Sequence, residues 1–128
     1  MVTISNIAQQ ILDENNYTEA DISKTNLEYL IDNAIDYINL VAGTSIADLS
    51  GTAGSKSLTA TENEIVAIKL LTVLLLRAYK DRGPNASVAG LNVSAVINDP
   101  QYTLFKELFD LAVARLRGKY FKLSLIHI

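Results

Sequence analysis

From Thr61 to Gly83 the chain reads TENEIVAIKLLTVLLLRAYKDRG, and in the 12 residues from Ile65 to Leu76 only Lys69 and Thr72 are polar. Apolar side chains so dense leave no polar face for solvent. A helix of this kind has to be covered on several sides, which predicts a buried central helix with other helices packed around it. Its ends are marked: Thr61 followed by Glu64 has the spacing of a capping box. Arg77, Lys80 and Arg82 occupy the closing turns before Gly83 and Pro84, where cations suit the helix dipole. The spacing therefore predicts a helix near Glu62 to Arg82, with Ile68, Leu71, Leu74 and Leu75 in the core. Twelve helical residues span about 18 Å, well short of the roughly 30 Å hydrocarbon core of a bilayer. The run reads as a core helix, and no membrane partner is expected.

A chain of 128 residues is one domain of ordinary size, able to bury a core without metal or disulfide support. It contains no cysteine, which removes disulfides, thiolate metal ligands and thiol nucleophiles together. MVTISNIAQQ lacks a basic region followed by an apolar run, so no signal peptide is expected and an intracellular setting is the default. The net charge of −3 divides unevenly: residues 1–64 hold 10 acidic and 2 basic side chains, residues 65–128 hold 4 acidic and 9 basic. Folding can intermix these charges over one surface. It can equally leave an acidic and a basic flank, an arrangement suited to head-to-tail packing of identical copies.

Along the chain, Ile4, Ile7, Ala8, Ile11 and Leu12 recur at helical spacing behind a candidate N-cap, Thr3. Asn15 and Asn16 end this first helix. Thr25 with Glu28 repeats the capping-box spacing, and Leu27, Leu30, Ile31, Ala34, Ile38 and Val41 form the apolar stripe of a second helix stopped by Gly43. Asp32 and Asp36 lie four apart on its outward face. They have the spacing of a carboxylate pair, but with no histidine or third acid nearby they read as a solvated face. Residues 44–60, TSIADLSGTAGSKSLTA, read as a surface connection and a candidate contact element. GTAGS lacks the Gly-Lys-Ser/Thr ending of a phosphate loop. Pro84 to Asp99 shows a weak alternation through Val88, Leu91, Val93, Ala95 and Ile97, giving a short hairpin or an extended arm. Asp99 and Pro100 read as N-cap and first residue of the last helix. Its apolar positions are Leu104, Phe105, Leu108, Phe109, Leu111, Ala112 and Leu116, and Gly118 is its stop.

The expectation is thus an all-α fold, a small bundle of about four main helices, with residues 1–118 as the helical domain and 119–128 as an extended apolar tail. No cofactor, metal site or catalytic residue is expected. The one histidine, His127, is the penultimate residue, a poor place for a positioned base. No catalytic signature occurs. Arg115, Arg117, Lys119 and Lys122 with Tyr120 and Phe121 interleaved make a weak nucleic-acid footprint, although cations also gather at helix C-termini for the dipole. In the tail, Phe121, Leu123 and Leu125 alternate with Lys122 and Ser124 before Ile126 and Ile128. Tyr120, Phe121, Leu123, Leu125 and Ile126 are candidate docking residues for a partner sheet; folding back onto the chain's own core, or disorder, is the other reading.

The element order resembles the head-tail connector (adaptor, or head-completion) proteins of tailed bacteriophages. The shared features are an amphipathic first helix, a second helix followed by a Gly/Ser-rich loop, a very apolar helix ending in LLLRAYKDRG, a loop of about 16 residues and a helix opened by Asp-Pro. The resemblance covers roughly residues 3–118 and includes Tyr79 and Arg82 as a Tyr-x-x-Arg ending. Family sequences often carry an Asn-Arg-Glu-like stretch where this chain has Lys80, Asp81 and Arg82. The resemblance implies a structural virion protein in the phage neck. Such a subunit joins a ring, commonly of twelve, beneath the portal protein, extends the DNA channel without reading its sequence, and receives the next neck or tail protein. Asp32 and Asp36 of one copy, with Arg115 and Arg117 of the next, are candidate interface residues. The alternative is a small cytoplasmic helical domain that binds protein or nucleic acid.

Overall fold

The computed structural model describes residues 2–48, 57–83 and 86–117. The elements are β1 (Val2–Thr3), α1 (Ile4–Glu14), α2 (Lys24–Ala42), β2 (Ala47–Asp48), β3 (Ser57–Thr59), α3 (Glu62–Asp81), α4 (Val93–Ile97) and α5 (Thr103–Arg117), with single 3-10 turns at Val88–Gly90 and Pro100–Tyr102. The fold is a small all-α bundle of four main helices. α3 is its axis, packed against α2 and α5 and also touching α1 and α4. Ala67, Ile68, Leu71, Thr72, Leu74, Leu75 and Leu76 are wholly buried, so most of the apolar run is covered, while Val66 stays at the surface. The Thr61 hydroxyl accepts from the Glu64 amide while the Glu64 carboxylate accepts from the Thr61 amide. Two amides that the helix cannot satisfy for itself are thereby paired.

The amphipathic helices dock their apolar stripes on this axis. α1 begins at Thr3, whose hydroxyl accepts from the Asn6 amide, and buries Ile4, Ile7, Ala8, Ile11 and Leu12. It ends at Asn15, followed by Asn16 at φ 58°, a left-handed conformation that asparagine tolerates. α2 starts earlier than the Thr25–Glu28 spacing suggests: Ser23 is the cap, its hydroxyl accepting from Asn26. Ile22 before the cap and Leu27 at the fourth helical position are both buried, the positions of a hydrophobic staple. Burial of that pair fixes the start, and Thr25 falls in the first turn. Gly43 ends α2 at φ 72°, where a side chain would be strained.

The connection over residues 44–60 is more ordered at its two ends than a surface loop. Strand β3 lies between β1 and β2 in a three-stranded antiparallel sheet, with Val2 opposite Leu58 and Ala47 opposite Thr59. Ile46 and Leu58 are drawn into the core. Asn39 secures the turn out of α2: its Oδ1 accepts from the Ile46 amide at 2.9 Å and the Thr44 hydroxyl at 2.8 Å, and its Nδ2 donates to the Ile46 carbonyl at 2.9 Å. GTAGS lies outside the described residues.

Neither a hairpin nor an extended arm forms after residue 86. Ser87 caps the first 3-10 turn, and Asn92 caps α4 by accepting from the Ala95 amide at 3.0 Å. Short polar side chains thus capture backbone amides that a strand ladder would need. The buried residues Val88, Leu91, Val96 and Ile97 do not keep a two-residue period. Asp99 and Pro100 open a 3-10 turn, Asp99 accepting from the Gln101 amide, and α5 follows without a break at Thr103. Gly118 and the tail 119–128 lie outside the described residues.

Candidate functional site

The densest polar cluster closes the C-terminal end of α3 onto the start of α5. The Tyr102 hydroxyl donates to Asp81 Oδ2 at 2.6 Å, and Gln101 Nε2 donates to the same oxygen at 3.1 Å. Arg82 donates to the Gly90 carbonyl at 3.2 Å. Burial, and then the hydrogen bond to the Asp81 carboxylate, push the Tyr102 phenol up to about 12. Tyr102 is therefore a firmly protonated donor at neutral pH, a fastening between two elements.

Next to Asp81, Lys80 donates to Asp21 at 2.6 Å and stands 5.7 Å from the centre of the Tyr17 ring. The Lys80 hydrogen bond, followed by that from the Thr18 amide, lowers the Asp21 carboxyl below its usual range. Lys69 reaches Glu14 at 3.1 Å. These contacts join an acidic side chain of the first half to a basic one of the second within one chain. The opposite charge of the halves is partly neutralised internally. The charges left over sit elsewhere: Asp36 is exposed on α2 and Arg115 and Arg117 are exposed in the last turn of α5, with no ion pair among the described residues. Asp32, one turn from Asp36, is half-buried and already engaged within the chain.

Two apolar surfaces face solvent. On α5, Leu104 is 69% exposed, Leu108 44% and Leu111 50%. All three belong to the seven apolar positions read from the sequence of this helix, and the structure leaves them at the surface. Seven apolar positions cover too wide an arc for the surface that α2 and α3 offer, and α5 fully buries only Phe109, Ala112 and Val113. Phe105, half-buried, lies under the Arg77 guanidinium at 4.8 Å and helps to line an open cleft of about 360 Å³ with Val66, Leu70 and Val73. The second surface is a groove of about 360 Å³ along α2, lined by Tyr29, Tyr37, Leu40, Leu91 and Val93, with Asp36 and Asn33 beside them. Leu40 is 79% exposed there.

Of the residues singled out from sequence, Ile68, Leu71, Leu74 and Leu75 are all wholly buried. Asp32 and Asp36 share the outward side of α2, and Arg115 and Arg117 lie at the end of α5. Tyr120, Phe121, Leu123, Leu125 and Ile126 lie outside the described residues. Sequence reasoning missed the surface row of α5, although its signal was present: Leu104, Leu108 and Leu111 repeat at i, i+4 and i+7. Among the described residues no group of three or more His, Cys, Asp or Glu side chains is placed to hold a metal ion, and no helix is long and apolar enough to cross a membrane.

What these observations define is a small all-α fold with two solvent-facing apolar surfaces. Comparison of the chain with protein-family models, curated proteins and solved structures finds no match in any of the three.

Proposed function

We propose that this chain is a structural subunit of a tailed-phage neck, a head-tail connector that packs as a ring beneath the portal, extends the DNA channel and joins head to tail. It acts by contact, with no reaction of its own. The observation that carries this reading is the row of leucines exposed along α5, since apolar side chains aligned on one face of a surface helix suit association with another surface. The order of α1, α2, α3 and α5, on which the resemblance rests, supports it as well. Asp36 on one flank and Arg115 and Arg117 on the other supply charges that orient one copy on the next. Rim charges mainly set orientation and salt dependence, so assembly should weaken between low ionic strength and half-molar salt.

In this reading the tail from Lys119 to Ile128 docks on the portal or on a neighbouring copy. The test is imaging and native mass spectrometry of the full chain mixed with the portal protein encoded beside it. Ring-shaped caps on the portal are expected, and a chain ending at Gly118 should stay folded yet fail to attach. A gene neighbourhood of metabolic genes, or a chain that ignores every portal offered, would leave the small protein- or nucleic-acid-binding domain as the better reading.

A further inference from the structure

The two apolar surfaces differ in form. One is a ridge: Leu104, Leu108, Leu111 and Arg115 follow the i, i+4, i+7, i+11 spacing of a narrow helical seam, the pattern that inserts into another surface rather than covering a broad core. The other is the shallow groove of α2. They also match in length, because Leu104 to Arg115 and Tyr29 to Leu40 are each 12 residues of helix, about 16 Å from first to last.

They cannot meet within one chain. Phe109 of α5 faces Tyr37 of α2, with ring centroids 6.2 Å apart. At about 100° per residue the centre of the leucine row lies well over a quarter-turn around α5 from Phe109, on the side bearing the cleft with Val66 and Phe105. The ridge points away from the chain's own groove. Charge follows the same division: the ridge ends in Arg115, the groove holds Asp36, and neither has an ion pair among the described residues.

We infer that the occupant of the α2 groove is the α5 ridge of a second copy of this chain, with Arg115 brought to Asp36. Ridge and groove are different patches, so the contact is heterologous: each copy offers a free ridge at one end and a free groove at the other, and repetition gives a ring or a filament. This deepens the connector reading and rests on it for the closed ring, whereas the pairing itself is testable without a portal.

The experiment mixes two broken chains of full length. Leu108→Glu with Leu111→Glu spoils the ridge, and Leu40→Glu with Tyr29→Glu spoils the groove; all four positions are exposed, and circular dichroism melts verify that both variants fold. By native mass spectrometry over a concentration series, the parent is expected to assemble beyond a dimer and each variant to remain a monomer. Their mixture should give a one-to-one dimer that grows no further, because it contains one intact ridge and one intact groove. Asp36→Arg should lower the association constant by up to about fivefold, and adding Arg115→Asp should restore it.

A groove-broken chain that assembles like the parent while the ridge-broken chain does not would mean ridge-to-ridge pairing and overturn the inference. A parent that stays monomeric throughout would also overturn it. If the mixture behaves as expected but no ring forms on a portal, the connector reading alone fails. If the ridge-broken chain still caps a portal as well as the parent does, the pairing alone fails.

Discussion

Helices α3 and α5 are both rich in leucine, yet they put it to opposite uses. In α3, Leu71, Leu74, Leu75 and Leu76 are wholly buried, enclosed by α1, α2, α4 and α5. In α5, Leu104, Leu108 and Leu111 remain at the surface while Phe109, Ala112 and Val113 are buried. The difference lies in how many neighbours each helix has. An axis surrounded by partners converts its apolar residues into stability of the fold. A helix on the outside has one covered side, and whatever apolar side chains exceed it are left for association. Leucine content alone therefore says little about burial.

The sharpest way to break this comparison is to place the same charge in both helices. Leu71→Asp or Leu74→Asp puts an unpaired carboxylate in a dry core, costing several kcal/mol out of a total of about 5 to 15. Either variant is expected to lose its cooperative melt by circular dichroism, whereas Leu108→Asp should melt within about 0.5 kcal/mol of the parent.

A smaller effect is expected at the joint between the two helices. Tyr102→Phe removes the donor to Asp81 and should destabilise by about 1 to 2 kcal/mol near neutral pH. The folded phenol ionises near 12 rather than 10, so the contribution is complete below pH 10 and disappears as pH rises from 10 towards 12. Denaturant titrations of parent and variant across that range should show the gap between them closing.

The smallest concerns the one polar flaw in α3. Thr72 is wholly buried and its hydroxyl has no hydrogen-bond partner among the described residues. Thr72→Val keeps the shape and removes the unsatisfied group, and should stabilise by about 1 kcal/mol, seen as a rise of a few degrees in Tm.

How far the sequence foretold these features depended on how local their causes are. The axis was legible because an unbroken apolar run admits one explanation, and the caps at Thr3, Thr61 and Asp99 because each needs only its own turn. The start of α2 was displaced because burial of Ile22 and Leu27 outweighed the Thr25–Glu28 spacing. Residues 44–60 escaped because β3 pairs on one side with β1, more than 50 residues away, and strands of two and three residues carry no local signal. The α5 ridge escaped for a related reason. Its spacing was visible, but which of the seven apolar positions face inward is decided by where α2 and α3 stop.

Sedimentation velocity on the full chain and its Leu108→Glu/Leu111→Glu variant at matched concentrations tests most directly whether the surplus leucine of α5 serves association rather than folding. The account predicts a concentration-dependent assembly for the parent and a single folded species of 14.0 kDa for the variant. Identical profiles for the two, or a variant that unfolds, would contradict it.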